Sequence, residues 1–421
     1  MGTMICLGVG KMEIDWGKNN IFSDHSVLFK EDDIKQVPYF YANDIDAEDP
    51  EDRVIVEYKE GLSRPLSSIK KRLDLLGYTL ANVESLYNEL VREAELHSIE
   101  VALPFKIFAT LLKEIDVAKI STPDFAYEFD EFGYDLGEFV RRCIIPEKEI
   151  YSRLCHTVGE DRTTVNSDLE CFFENMDPYI ILRLLAENPS SCDLDVYWAY
   201  ADLVEAGWTT KNEIVKSLGE GKKILIVTEG STDSSILQKA IAELYPDISD
   251  FFSFIDMTDN YPFTGTGNLY NFCCGLSKIG VLNNVIAIFD NDSAGNEKYE
   301  KLKSIRKQPN LLIVKLPNMP EFENFETIGP QGNSYEDING TAAAIECFLD
   351  FASVDFPPVI RWTSYSEKLK KYQGVLQRKD DYTRAFLKAN LKTDDYNTSK
   401  IRMLIDYIID YIIDQWCNRL Q

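Results

Sequence analysis

The chain has 421 residues, 45% hydrophobic and 27% charged. That length fits two or three domains, and the balance is too apolar for a disordered chain. Lysine and arginine number 44 against 70 aspartates and glutamates, a formal net charge of −26, which excludes a general electrostatic grip on nucleic acid. Any such contact must be local, metal-assisted or shared with a partner.

In chain order, residues 4–10 and 54–58 read as short strands. Between 44 and 52 lie six acids (Asp44, Asp46, Glu48, Asp49, Glu51 and Asp52), most simply a solvated loop. From 66 to 98, Ile69, Leu73, Leu76, Leu80, Val83, Leu86 and Leu90 recur at steps of three and four, the period of a helix. A second acidic cluster at 124–138, interleaved with Phe125, Phe129, Phe132 and Phe139, suits a segment lying on another domain. Residues 167–187 and 195–206 also read as helices, and 207–221 as a linker or capped turn.

After 221 the pattern changes. Short apolar runs at 224–228, 251–256, 285–289 and 311–316 alternate with helical patterns through Ile236–Leu244, through Leu269–Leu276 and at 296–306. This alternation predicts a mainly parallel sheet flanked by helices. From 361 to 402 the chain carries 11 lysines and arginines against 5 acids. The segment 399–419 predicts a helix that is apolar nearly all round, with Asp406, Asp410 and Asp414 as one narrow polar stripe. Such a helix must be buried in its own domain or in a partner. The expected fold is therefore α/β, with a mixed, largely helical region at 1–215, the parallel-sheet domain at 216–355 and a helical extension at 356–421. No apolar run reaches a membrane span, and the first residues lack the layout of a signal peptide. The nine cysteines include no CxxC pair, which reads as a reduced, cytoplasmic protein without a structural zinc.

The strongest chemical signal is Glu229 at the end of one predicted strand and Asp290-Asn-Asp292 at the end of another. Working residues in open α/β sheets gather beyond the carboxyl ends of the strands. Asp290 and Asp292, two apart on extended chain, present both carboxylates to one side. Mg²⁺, or Mn²⁺ in its place, takes such oxygen ligands together with water and substrate phosphate. Asp233 stands one helical turn beyond Glu229, and a third acidic group, Glu336-Asp337, is followed by Glu346. Gly230 and Gly295 suit sharp turns at the site. Taken singly, each acid also reads as an ordinary helix cap or loop residue.

These residues carry a resemblance. Ile224-Leu-Ile-Val-Thr-Glu229-Gly-Ser-Thr-Asp233 and Ile288-Phe-Asp290-Asn-Asp292-Ser-Ala-Gly295 resemble the Toprim domain of topoisomerases, bacterial primases, small rRNA maturases and overcoming-lysogenization-defect nucleases. Glu229-xxx-Asp233 looks closest to the nuclease branch. Residues 1–215, with Gly8-x-Gly10-Lys11 and Ala206-Gly207-Trp208, resemble the HEPN/Toprim-associated regions of bacterial proteins linked to phage defence. Trp362-Thr-Ser-Tyr365 and Lys371-Tyr-Gln-Gly374 resemble the segment that follows Toprim in those proteins. The resemblance implies a bacterial, metal-dependent nuclease of anti-phage defence. Glu229, Asp233, Asp290 and Asp292 would form its catalytic and metal site, completed by Glu336, Asp337 and Glu346. Its partner would be nucleic acid, DNA before RNA, with a further protein of the same defence system.

Three readings stay open. In the first, the acids hold Mg²⁺ for phosphodiester hydrolysis or nicking, and the basic run Lys368, Lys370, Lys371, Arg378 and Lys379 contacts the polynucleotide, with Lys371 steadying transition-state charge. That run reads equally as a solvated helix face. In the second, favoured by the charge of −26, the same fold is a non-cleaving regulatory or scaffold protein that binds a nucleotide or partner. In the third, Arg92 and His97 have the Arg-x4-His spacing of a metal-independent HEPN ribonuclease, whereas Arg153 and His156 stand too close. Cys273-Cys274 on an apolar helix reads as packing, and Gly265-Thr-Gly267 as a tight helix start. A homo-oligomer paired through 399–419 is expected, with acidic cover at 44–52 and 124–138 restraining access to the acids.

Overall fold

Two antiparallel hairpins begin the chain: Met4–Val9 (β1) with Met12–Lys18 (β2), and Ile34–Ala42 (β3) with Val54–Pro65 (β4). The computed structural model describes residues 3–43, 47–48, 52, 54–97, 99–101, 103–114, 116–119, 155–157, 175–218, 223–255, 265–279, 283–306, 308–393 and 395–417. The chain divides into two compact units, Met1–Gly221 and Lys222–Trp416. The acidic–aromatic stretch 124–138, and most of 44–52, lie outside the described residues.

After β4 the first unit continues through Leu66–Leu75 (α1), Leu80–Leu96 (α2), Ile99–Val101 (β5), Phe105–Glu114 (α3), Cys155–Thr157 (β6), Pro178–Leu185 (α4), Asp195–Ala199 (β7), Ala201–Glu205 (α5) and Lys211–Ser217 (α6). Its five-stranded antiparallel sheet has the order β2-β1-β7-β4-β3. Leu7, Val9, Leu62, Ile69, Leu73, Val83, Tyr87, Leu182 and Trp198 belong to its core.

Two expectations fail here. The helix at 66–98 is broken, because Gly77 takes φ 100° and Thr79 starts a new helix by accepting from the Asn82 amide at 3.4 Å. Residues 195–199 form the central strand instead of a helix. A strand paired on both edges and covered on both faces is apolar throughout, so the alternation that marks a strand disappears. Val196, Tyr197, Trp198 and Ala199 are all buried.

The second unit runs Ile224–Val227 (β8), Ser231–Leu244 (α7), Phe252–Phe254 (β9), Thr266–Ile279 (α8), Asn284–Phe289 (β10), Asn291–Asp292 (β11), Ser293–Lys303 (α9) and Leu311–Lys315 (β12). The sheet β12-β10-β8-β9 is parallel throughout, as the alternation of elements predicts. The protein is thus mixed α/β with a parallel sheet.

Then follow Phe325–Gly329 (β13), Gly332–Glu336 (β14), Ala342–Ala343 (β15), Ile360–Ser366 (β16), Lys371–Leu376 (β17), Lys379–Lys388 (α10) and Ser399–Cys417 (α11). A second sheet has the order β14-β13-β16-β17, and β15 pairs with β11. Lys368, Lys370 and Lys371 therefore lie on a β-hairpin, Arg378 follows it and Lys379 begins α10, so the run is not one helix face, and the segment after 356 is only partly helical. Helix α11 buries Ile401, Leu404, Ile405, Ile408, Ile409 and Ile412 and leaves Asp406, Asp410 and Asp414 exposed. Tyr411 Oη donates to the Ile313 carbonyl (2.7 Å), and Tyr245 Oη to that of Arg402 (3.1 Å). The apolar stripe is thus buried inside its own unit. Among the described residues, no helix is long and apolar enough to cross a membrane.

Candidate functional site

Strands β8 and β10 are neighbours in the parallel sheet, so their carboxyl ends deliver Glu229 and Asp290 side by side. Glu229 is buried, 8% exposed. Its Oε2 accepts from Thr266 Oγ1 (2.5 Å) and its Oε1 from the Asp290 amide (3.0 Å). The Gly265 amide donates to the Glu229 carbonyl at 2.7 Å. The Gly-Thr-Gly turn therefore clamps Glu229 from both sides while starting α8, a role that the sequence reading did not give it.

Asp233 and Asp292 each serve as helix caps, as the plainest reading of the sequence has it. Asp233 accepts from the Gly230 amide at the start of α7 (3.0 Å), and Asp292 Oδ1 from the Gly295 amide at the start of α9 (2.7 Å). Asp292 Oδ2 also accepts from Gln373 Nε2 on β17. The two glycines differ. A Cβ on Gly295 would stand 2.2 Å from the Asp290 carbonyl oxygen, whereas one on Gly230 meets nothing nearer than 3.6 Å. Only Gly295 is required by the turn.

Glu346 comes from the 3-10 turn Ile345–Phe348 and is 2% exposed. Its buried Oε1 accepts no hydrogen bond and faces Lys379 Nζ at 3.3 Å. Electrostatically these acids act as one group. Burial pushes Glu229 up to about 7, helped by the Asp292 charge and opposed by the Thr266 hydroxyl. Burial also lifts Asp233 to about 7, reinforced by Glu346 and Glu229. Asp290 is held well above the usual carboxylate range by burial and then by Asp233, Glu229, Asp292 and Glu346. Lys379 is pushed upward, chiefly by Glu346.

The third acidic pair is not drawn in. The Glu336 carboxylate accepts from Ser334, Thr327 and Trp362 on the second sheet, and Asp337 caps its own turn by accepting from the Asn339 amide at 2.9 Å. Both side chains are spent on local structure. Among the described residues, no three His, Cys, Asp or Glu side chains stand at ligand spacing around one point. The carboxylates share a field without forming a closed coordination shell. A Mg²⁺ ion held by one or two carboxylates, with water and phosphate supplying the rest, needs no such shell. The buried Oε1 of Glu346, which faces the Lys379 ammonium, fits that donor chemistry.

The basic residues separate. Lys379 alone of the five approaches the acids. Lys368 pairs with Glu297 (2.5 Å), and Arg378 with Asp381 (2.6 Å). Lys370 is exposed at the hairpin turn with φ 50°. Lys371 Nζ lies 3.9 Å from the position a Cβ on Gly340 would take, beside Asn291 and Asn296 and within electrostatic reach of Lys315.

Elsewhere, Cys273 is buried in the core of the second unit, as its apolar helix predicts. Arg92 is exposed and pairs with Glu89 at 3.9 Å. His97 sits past the end of α2 as its cap. Five residues on a helix turn about 140° away from a shared face, so Arg92 and His97 do not share one. The side chains of Arg153 and His156 lie outside the described residues.

No curated protein and no solved structure matches the chain. The family model described as HEPN/Toprim N-terminal domain 1 matches residues 1–222. That is more than half of the chain, and the protein belongs to this HEPN/Toprim family.

Proposed function

We propose that the protein is a divalent-metal-dependent nuclease that hydrolyses or nicks phosphodiester bonds at the Glu229–Asp290–Asp292 centre, in bacterial anti-phage defence. The observation that carries this reading is the set of five acids, Glu229, Asp233, Asp290, Asp292 and Glu346, that act on one another beyond adjacent parallel strands. Burying so much like charge is costly unless a cation or protons offset it. Membership of a family whose description joins HEPN and Toprim agrees with nuclease-related chemistry, and the sequence of the second unit resembles Toprim at these residues.

Asp290 and Asp292 would hold Mg²⁺ or Mn²⁺, with Asp233 and Glu346 able to reach a second ion. A divalent ion at such a site lowers the pKa of bound water and clamps the scissile phosphate. Glu229, pushed up to about 7, is suited to taking or giving a proton near neutrality. It also aims the Asp290 backbone through its hydrogen bond. Lys379 replaces Lys371 as the cation beside the acids, and its ammonium offsets charge gathering on the phosphate.

The test is nicking of supercoiled plasmid by the full chain with Mg²⁺ or Mn²⁺. Activity is expected to vanish in EDTA and in Asp290→Ala, and to fall at least 100-fold in Lys379→Ala. Full activity in the double variant Asp290→Ala/Asp292→Ala would overturn the reading. A second reading rests on the net charge of −26: a scaffold that binds metal and a nucleotide or partner without cleavage. Metal binding by calorimetry with no cleavage of any DNA or RNA form would favour it.

A further inference from the structure

We propose that the β16–β17 hairpin is a stacking platform for unpaired nucleotides, so that the substrate is a single strand or a duplex with an unpaired segment. This rests on the nuclease reading and names its substrate class.

The hairpin is fastened to the acidic centre at three points. Ser293 Oγ donates to the Tyr372 carbonyl (2.7 Å), the Ala294 amide donates to Gln373 Oε1 (3.2 Å), and Gln373 Nε2 donates to Asp292. Tyr372 precedes Gln373 on β17, and successive side chains on a strand point to opposite faces, so its ring stands across the strand from the Gln373–Asp292 bond while its carbonyl is held by Ser293. Tyr372 and Tyr365 face each other across the hairpin in register, with ring centroids 4.9 Å apart, and Trp362 lies 5.9 Å from Tyr372. Tyr365 is 51% exposed and Tyr372 42%. The pair contributes to the hairpin as cross-strand aromatic pairs do, and the ring surface left open is the kind on which bases stack.

Charge commits the occupant. Residues 360–379 hold six basic residues (Arg361, Lys368, Lys370, Lys371, Arg378 and Lys379) and one acid, Glu367, in a chain of net −26. Lys370 takes φ 50° at the turn, a left-handed position that glycine or asparagine fills at lower cost. Lys315 Nζ donates to Asn296 Oδ1 at 2.7 Å, and both Asn296 and Lys371 Nζ border the position that a Cβ on Gly340 would take. Basic residues on the same hairpin as open aromatic rings match a polyanion whose bases are free to stack. A duplex hides its base faces and offers the rings nothing.

The experiment is fluorescence anisotropy with the full-length protein in EDTA, where binding is read without cleavage. Its probes are labelled 15-mer oligo-dT, 15-mer oligo-U and a 15-bp duplex. Oligo-dT or oligo-U is expected to bind at least 10-fold more tightly than the duplex, and the stronger of the two identifies the strand chemistry. Tyr365→Ala and Tyr372→Ala should each weaken single-strand binding about 5-fold or more, with duplex binding unchanged and Phe at either position restoring it. Lys371→Gln should lower the slope of log affinity against log salt by about one phosphate contact. If an alanine variant melts early, photocrosslinking of 4-thiouridine-containing oligo-U to the unaltered protein replaces it, and crosslinks are expected within 360–376. Duplex binding as tight as single-strand binding, undiminished binding in folded Tyr→Ala variants, or crosslinks confined elsewhere would each overturn the proposal. Plasmid cleavage without single-strand preference would defeat this inference alone. Single-strand binding without cleavage under any metal would defeat the nuclease reading alone.

Discussion

Glu229 shows what a buried carboxylate does to stability. Its folded value, raised from 4.5 to about 7, means that the folded state binds the proton more tightly than the unfolded one. The contribution is fully present below the unfolded value and is lost as pH rises through about 7. At about 1.36 kcal/mol per unit, the rise corresponds to about 3 kcal/mol. In EDTA, Glu229→Gln should therefore gain stability relative to the unaltered chain as pH goes from about 5 to about 8. Mg²⁺ should narrow that difference. Urea unfolding at several pH values measures it, and a difference that does not change with pH would contradict the burial argument.

At this scale, legibility followed sequence distance. Glu229, Asp233, Asp290 and Asp292 were readable because each sits where a strand ends and a helix begins, and short spacing fixes their direction. Glu346 stood out only as another acid. Gln373 and Thr266 gave no chemical signal, because their partners lie far along the chain. Glu336 and Asp337 read like site residues by composition, but local hydroxyl and amide donors claim them.

Among the elements, the turn between β10 and α9 is the most constrained. Gly295 lets α9 start against the Asp290 carbonyl, and a methyl group there would stand at 2.2 Å, well inside contact distance. Gly295→Ala should cost about 1–3 kcal/mol by forcing backbone apart and should weaken metal binding, because the same turn aims Asp290 and Asp292. Gly230→Ala, with 3.6 Å of clearance, should cost less than about 1 kcal/mol. Equal losses in the two variants, measured by urea titration, would show that close approach is not what the glycine supplies.

The elements that were legible are those with one periodicity and clear punctuation, such as β8, α7, β10 and β12. Strand β7 was misread because its position at the centre of the sheet makes it apolar on both faces. The β16–β17 hairpin was misread because lysines at its turn and a buried Gly374 conceal the alternation of its strands.

For the whole molecule, charge opposes the task assigned to its site. A net −26 repels a polyanion at long range, while the basic hairpin attracts it at short range. Screening separates the two effects, because the Debye length falls from about 30 Å at 0.01 M salt to about 10 Å at 0.1 M. Over that interval the repulsion between whole molecules fades first, and contacts at the hairpin persist. The association rate with oligo-dT should therefore rise or hold level between these salt concentrations and fall only beyond them. A basic nucleic-acid-binding protein slows from the lowest salt onward. Stopped-flow anisotropy in EDTA reads this directly. A steep fall beginning at 0.01 M would mean that the hairpin field governs approach even at long range. The acidic remainder of the chain would then impose no barrier to entry.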